Sequence, residues 1–335
     1  MTKQDKTMRQ EHEAIREAVG YYNFTHQLLE VTGKCAGKFL DRMFVNSFSK
    51  AKIGQAKYTT MLNHDGIIID DVIIFRIEEE KYWISTLYID QMIKHFDKEK
   101  ESETVSYKDI TSKVSMYAVQ GPKSAKVLDK ILDKPVEPIK HFYIEDNCFQ
   151  GHDVKVARSG FTGELGYEVY LNPEYNDLLE EKLEEAGKEF GIVKMTTDVI
   201  LTSLPREKGY VLMSDIAGTN PLEVDFGWTV AWKTDFIGKE ALLKVKEEGA
   251  KRSLLGFTVE DDGAEIEPGT PVEVNGEKAG KATVFCYGYT VGKNIGFALV
   301  DNDKAKVGDK AEIGGYEAQL TDRVFYDPAN ERVNA

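Results

Sequence analysis

The chain is poor in residues that cross-link or ligate. Three cysteines, Cys35, Cys148 and Cys286, are scattered over 335 residues. An odd number at wide spacing argues against a disulfide framework and points to buried thiols in a reducing cytoplasm. Six histidines are equally dispersed, with no His-Glu-x-x-His or Cys-x-x-Cys spacing, so no structural metal is expected. No apolar run approaches the ~20 residues that span a bilayer. The N-terminal stretch is charged throughout and lacks the apolar core of a secretory leader. Basic residues are short too: 43 Lys and Arg stand against 57 Asp and Glu, a formal net charge of −14. That balance argues against a nucleic-acid binder, which needs a basic face to displace counterions from phosphate. It leaves room for a local basic pocket.

What is present reads as α+β. A chain of 335 residues exceeds one ordinary core, so two or three domains are expected. Residues 9–19 read as a short polar helix, and apolar patterning predicts helices over 34–45 and 88–99. Pro122 at a first-turn position predicts another from there, and a long one ends at Gly191. Strands are predicted at "HQLLEVTG", "KYWISTL" and "VSMYAVQG". "AKYTTMLN", a His-Asp-Gly turn and "IIIDDVIIFRI" read as a hairpin. The segment "TTDVILTSLPREKGYVL" reads as a helix interrupted or ended near Pro205. From about residue 251, short strands alternate with Gly turns, which predicts a separate, mostly antiparallel domain.

Three constellations draw attention. Asp70 and Asp71 sit in an otherwise apolar strand. Side chains alternate along a strand, so the two point opposite ways. A buried unpaired carboxylate is costly, so each is either satisfied structurally or projects with a perturbed pKa into a ligand cavity. In "ARSGFTGELGYEVYL" the glycines are followed by a strand, not a helix, which excludes a dinucleotide fingerprint. A hairpin turn that brings Phe161 near Glu168 fits better, with Glu168 read as an exposed strand residue. In "LPREKGYVLMSDIAGTNPLEVDFGWTVAWKTDFIGKEAL" the cluster Arg206, Glu207 and Lys208 reads as a solvated face. Trp228 and Trp232 read as core, and "FIGKEAL" as a strand end running into a helix.

In order along nearly the whole chain, these segments resemble the glycine-cleavage T-protein family of folate-dependent aminomethyltransferases and their demethylase relatives. "EAIREAVGYYNFTHQLLEVTG" resembles the family's opening R-x-x-G-x-x-D-x-S-H. "YTTMLNHDGIIIDDV" resembles Y-x-x-M-x-x-x-x-G-G-I-I-D-D-L. "MYAVQGPKSAKVL", "RSGFTGELGYEVY", "LPREKGY", "TNPLEV" and "DFIGKEAL" follow the family's A-x-Q-G-P-x-A, R-T-G-Y-T-G-E-D-G-F-E, R-L-E-K-G-Y, T-N-P-F-E and F-I-G-K-E-A-L. Each match is weak alone; their order and spacing are specific.

The resemblance implies a three-domain cloverleaf around a central hole that binds tetrahydrofolate. Domain 1 would take 1–30 and 131–220, domain 2 would take 31–130 and 221–250, and an antiparallel β-barrel would take 251–335. It implies Asp71 as the catalytic acid, Glu168 as the partner of the pterin ring, and Tyr58, Phe161 and Tyr210 as further folate contacts. A carboxylate suits a pterin because it accepts hydrogen bonds from its amino and ring N–H groups in parallel. In the parent reaction folate attacks an aminomethyl group on the lipoyl arm of a carrier protein, and ammonia leaves. Relatives instead deliver a methyl group from a small N-, O- or S-methyl donor to the same folate. Four departures touch the donor half. The stretch F-A-G-W-x-M-P is missing, Ser85 replaces an asparagine, Thr197 an arginine, and Asn23 an aspartate, while His26 remains. Losing an arginine removes a cationic anchor. These departures tilt the expectation toward demethylation. Aminomethyl transfer, a non-catalytic folate-binding protein and one component of a larger complex are the alternatives.

Overall fold

The structure is a computed structural model that describes residues 6–24 and 27–335. His26 lies outside the described residues. The fold is α+β and contains two open sheets and a closed barrel. The first sheet has the strand order Val193–Lys194, Gly20–Phe24, Ser115–Gln120, Gly166–Leu171, His152–Ala157, Ile144–Phe149. The second runs Ala56–Leu62, Ile68–Glu78, Lys81–Thr86, Gln27–Thr32, Ser106–Asp109. The barrel closes six antiparallel strands between Arg252 and Thr321. Among the described residues no helix is long and apolar enough to cross a membrane.

The expected hairpin forms. Strands Ala56–Leu62 and Ile68–Glu78 pair antiparallel, with Thr60 opposite Asp71 and Met61 opposite Asp70. Asn63 builds the turn, its side chain accepting from the backbone of Asp65 and Ile67. The helix Lys239–Glu248 packs on this turn through Gly238 (φ 84°). A Cβ there would lie 2.5 Å from the Asn63 carbonyl oxygen, so only glycine fits. "FIGKEAL" therefore enters its helix from a left-handed turn and not from a strand end. Helices Ala36–Met43 and Ile89–Glu99 bury Phe39, Leu40, Met92 and Phe96 under the second sheet. Pro122 precedes a helix of only five residues, Ser124–Leu128.

The helix through Pro205 is interrupted just before that proline and ends two residues after it. Residues 199–203 widen into a π-turn, and α-helix Leu204–Glu207 follows directly. Proline lacks an N–H and crowds the carbonyl four residues back, and a π-turn relieves both. The cluster Arg206, Glu207, Lys208 that this helix delivers is buried, with exposures of 3%, 0% and 3%, which corrects the solvated-face expectation.

The reason is ionic. Arg16 donates to Glu207 at 2.9 Å and to Glu164 at 3.1 Å. Glu207 also accepts from the backbone N–H of Thr290 in the barrel at 2.7 Å. Glu164 accepts from Tyr326 and Arg332 at 2.8 Å each, and Lys208 pairs with Asp327 at 2.7 Å. One buried node thus joins the first helix, the Gly-rich loop, the barrel and the C-terminal segment. Burial alone would raise the Glu207 pKa, but His12 and Arg16 hold it down at about 2.

Removing Arg16 takes away the guanidinium that two buried carboxylates share. Arg16→Ala should cost about 3–5 kcal/mol of stability in chemical denaturation. A loss below about 1 kcal/mol would show that the node does not hold the units together.

Candidate functional site

The two sheets and the C-terminal segment meet around a cavity of about 730 Å³. Asp71 and Ser85 come to it from the second sheet, Glu168 from the first, and Arg323 from the stretch that follows the barrel. A smaller hollow of about 360 Å³ beside Ile53 and Lys155 lies at the seam of the sheets and brings no comparable set together.

The two aspartates do alternate. Asp70 points inward, 1% exposed, and Asp71 is half-buried. Both border the cavity all the same, where the β-bulge after Met61 adds twist. Asp70 is satisfied on both oxygens: Thr86 Oγ1 donates to Oδ2 at 2.7 Å, and the Asp71 N–H to Oδ1 at 2.9 Å. Tyr58 Oη donates to Asp71 Oδ2 at 2.8 Å. Burial lifts Asp71 to about 6; the Tyr58 hydroxyl opposes the rise and Asp215 adds to it. Asp70 rises to about 7, again chiefly through burial.

Glu168 is 8% exposed, not a solvated strand residue, because the strand Gly166–Leu171 is covered on both faces. Its Oε2 accepts from Ser159 at 2.7 Å and Tyr170 at 3.0 Å. No described residue donates to Oε1, and burial raises its pKa. A buried carboxylate with one oxygen free is set to accept from a ligand N–H.

Aromatic rings wall the space. Phe161 stacks on Tyr210 with centroids 5.6 Å apart. Tyr58 meets Phe226 edge-on at 5.2 Å and stacks with Trp228 at 6.2 Å. Trp228 is 71% exposed at the cavity mouth, which corrects its placement in the core; Trp232 packs against the cluster joining hairpin and barrel. Tyr58, Asp71, Phe161, Glu168 and Tyr210 therefore all line one cavity.

The departures fall unevenly. Ser85 borders the cavity. Thr197 is exposed and bonded to Tyr22 Oη at 2.8 Å, one helical turn from Leu201, which lines the cavity. Asn23 turns to Tyr117 Oη at 3.0 Å. Thr86, Ser159 and Arg323 were missed by sequence reasoning. Ser159 stands inside a motif already singled out. Arg323, whose Nε and Nη1 donate to the carbonyls of Gly209 and Val224, reaches the cavity from 114 and 99 residues beyond them with no local signal.

Known proteins match over both parts. Residues 2–234 match the GCVT N-terminal domain, and residues 252–327 the glycine cleavage T-protein C-terminal barrel domain. Over 327 residues the chain is 35% identical to an aminomethyltransferase of Caldanaerobacter subterraneus, covering 94% of this chain and 87% of that one. An aminomethyltransferase of a Thermoanaerobacter species is 36% identical over 310 residues, 90% of this chain and 84% of that one. The crystal structure of glycine cleavage system aminomethyltransferase T from Bartonella henselae shares the fold. Its TM-score is 0.87 at 24% identity, covering 96% of this chain and 90% of that one.

The Tyr58 hydroxyl favours ionised Asp71. In Tyr58→Phe the Asp71 carboxyl should therefore titrate at higher pH than in the wild type, followed by carbon-detected NMR. An unchanged or lower midpoint would contradict the assigned direction.

Proposed function

We propose that this chain, which belongs to the glycine cleavage T-protein family, is an aminomethyltransferase. It would move a one-carbon unit from the lipoyl arm of a carrier protein to tetrahydrofolate. The observation that carries the reading is the convergence of Asp71 and Glu168 on one aromatic-walled cavity from two different sheets. Relatives at 35% and 36% identity bear the aminomethyltransferase name, which favours this chemistry over the removal of methyl groups toward which Thr197 and Asn23 tilt. The free thiols Cys35, Cys148 and Cys286 support a reducing, cytoplasmic setting.

The residues present fit a folate. The cavity lies in the size range of small-molecule sites. Glu168 Oε1 has no donor among the described residues, and a pterin offers adjacent amino and ring N–H groups. Phe161 and Tyr210 would flank the flat ring, and Tyr58 and Trp228 the part nearer the mouth. Tetrahydrofolate supplies nitrogens that accept the one-carbon unit. Asp71, held at 2.8 Å by Tyr58, would orient the accepting nitrogen and take its proton as the donor carbon loses ammonia and then, on closing the bridge to a second folate nitrogen, its bond to the lipoyl sulfur, which leaves as the thiol. A carboxyl near 6 suits that task, because it exchanges protons close to neutral pH.

One observation keeps a second reading. Phe24, Met116 and Leu201 make the cavity beside Thr197 apolar, without the arginine of the family pattern. A small methylated donor would suit that side. Incubation with aminomethyl-loaded lipoyl carrier should yield methylene-tetrahydrofolate. Methyl-tetrahydrofolate formed from a methylated small molecule, with no product from the carrier, would reverse the assignment.

Two substitutions test the roles. Asp71→Asn should lower turnover by about 10²–10⁴-fold while the protein stays folded; near-wild-type turnover would remove Asp71 from the chemistry. Glu168→Ala should weaken tetrahydrofolate binding by about 1–3 kcal/mol in calorimetric titration. Unchanged affinity would refute the pterin contact.

A further inference from the structure

Asp70 has no part in the reading above, yet it is more deeply buried than Asp71 and bonded to it. Three hydrogen bonds form a chain. The Tyr88 N–H donates to Thr86 Oγ1 at 2.9 Å, Thr86 Oγ1 donates to Asp70 Oδ2 at 2.7 Å, and the Asp71 N–H donates to Asp70 Oδ1 at 2.9 Å. Because the Thr86 hydroxyl already accepts from Tyr88, its single proton is directed to Asp70. Asp70 thereby ties the start of the strand Ile68–Glu78 to the end of the strand Lys81–Thr86. For stability alone an apolar side chain at position 70 would serve as well, since Ile68, Val72 and Ile74 on the same face are all in the core.

We infer that Asp70 is a positioning residue for the transfer: by clamping the Asp71 main chain to Thr86 it sets the direction in which the Asp71 carboxylate enters the cavity. The inference rests on Asp71 being the catalytic acid. The bonds also explain how two adjacent acids coexist. Asp70 uses both oxygens on protein donors, whereas Asp71 is held on one oxygen by Tyr58 and faces open space. The charged and titratable groups around the pair are few. The Asp71 charge acts on Asp70, and Tyr58 and Asp215 act on Asp71, with Arg323 acting on Tyr58. Near neutrality the pair is partly protonated, so removing the clamp changes geometry and charge together. Thr86→Val keeps both acids and removes one hydrogen bond, and Thr86→Ser restores that donor.

The test uses the full chain. Asp70→Asn keeps the shape but can accept only one of the two donors. Thr86→Val removes the donor to Oδ2 and leaves both acids in place. Both should lower kcat roughly tenfold to a hundredfold, as for a reacting group displaced by a fraction of an ångström. Tetrahydrofolate affinity should stay within about twofold, and Thr86→Ser should recover most of kcat. Wild-type kcat in folded Thr86→Val or Asp70→Asn would overturn the inference. So would a joint fall of kcat, folate affinity and melting temperature, which marks a merely structural acid. If Asp70→Asn does not fold, Thr86→Val decides. Full turnover by Asp71→Asn in the same assay would instead sink the reading on which the inference rests.

Discussion

The structure depends on one buried ion cluster. Arg16 sits between Glu207 and Glu164, and those two carboxylates hold the barrel turn at Thr290 and the C-terminal residues Tyr326 and Arg332. Buried charges are tolerable only when fully paired, so the cluster forms as a whole or not at all. That requirement fixes how the first helix, the Gly-rich loop and the barrel approach one another. The cavity lies beside this junction, where the two sheets and the C-terminal segment meet, and Glu164 and Lys208 of the cluster lie on its wall. Shape and ionic pairing are thus the same constraint here.

Within that frame the cavity separates two kinds of acid. Glu207 is paired with the Arg16 guanidinium and held far below the carboxylate range. Asp70, Asp71 and Glu168 have only hydroxyl and amide donors, and burial raises all three. Neutral donors stabilise a carboxylate less than a guanidinium does. Groups left in this condition stay close to giving or taking a proton, which a transfer site needs and a structural ion pair does not.

Much of the scaffold was legible. The Asn63 turn, the apolar strands and the helical spacing under the second sheet are local signals, and each formed where its pattern predicted. The Arg206-Glu207-Lys208 run and Glu168 were misread for a shared reason. Their burial depends on partners far away in sequence. Lys208 needs Asp327, Glu207 needs Arg16, and Glu168 is covered on both faces by other strands. A charged tripeptide on a helix looks solvated until its counterions arrive from elsewhere.

The sequence by itself determined the α+β class, the alternation that sets Asp70 against Asp71, and the ordered motifs that tie the chain to its family. These follow from backbone geometry and residue order alone. Only the tertiary structure decided which acid is clamped and which is left facing the cavity, that Trp228 stands at its mouth, and that Arg323 reaches it. Those outcomes depend on contacts between separate segments, from Thr86 against Asp70 in a neighbouring strand to Arg323 against Gly209, and only the packing of the folded chain sets them.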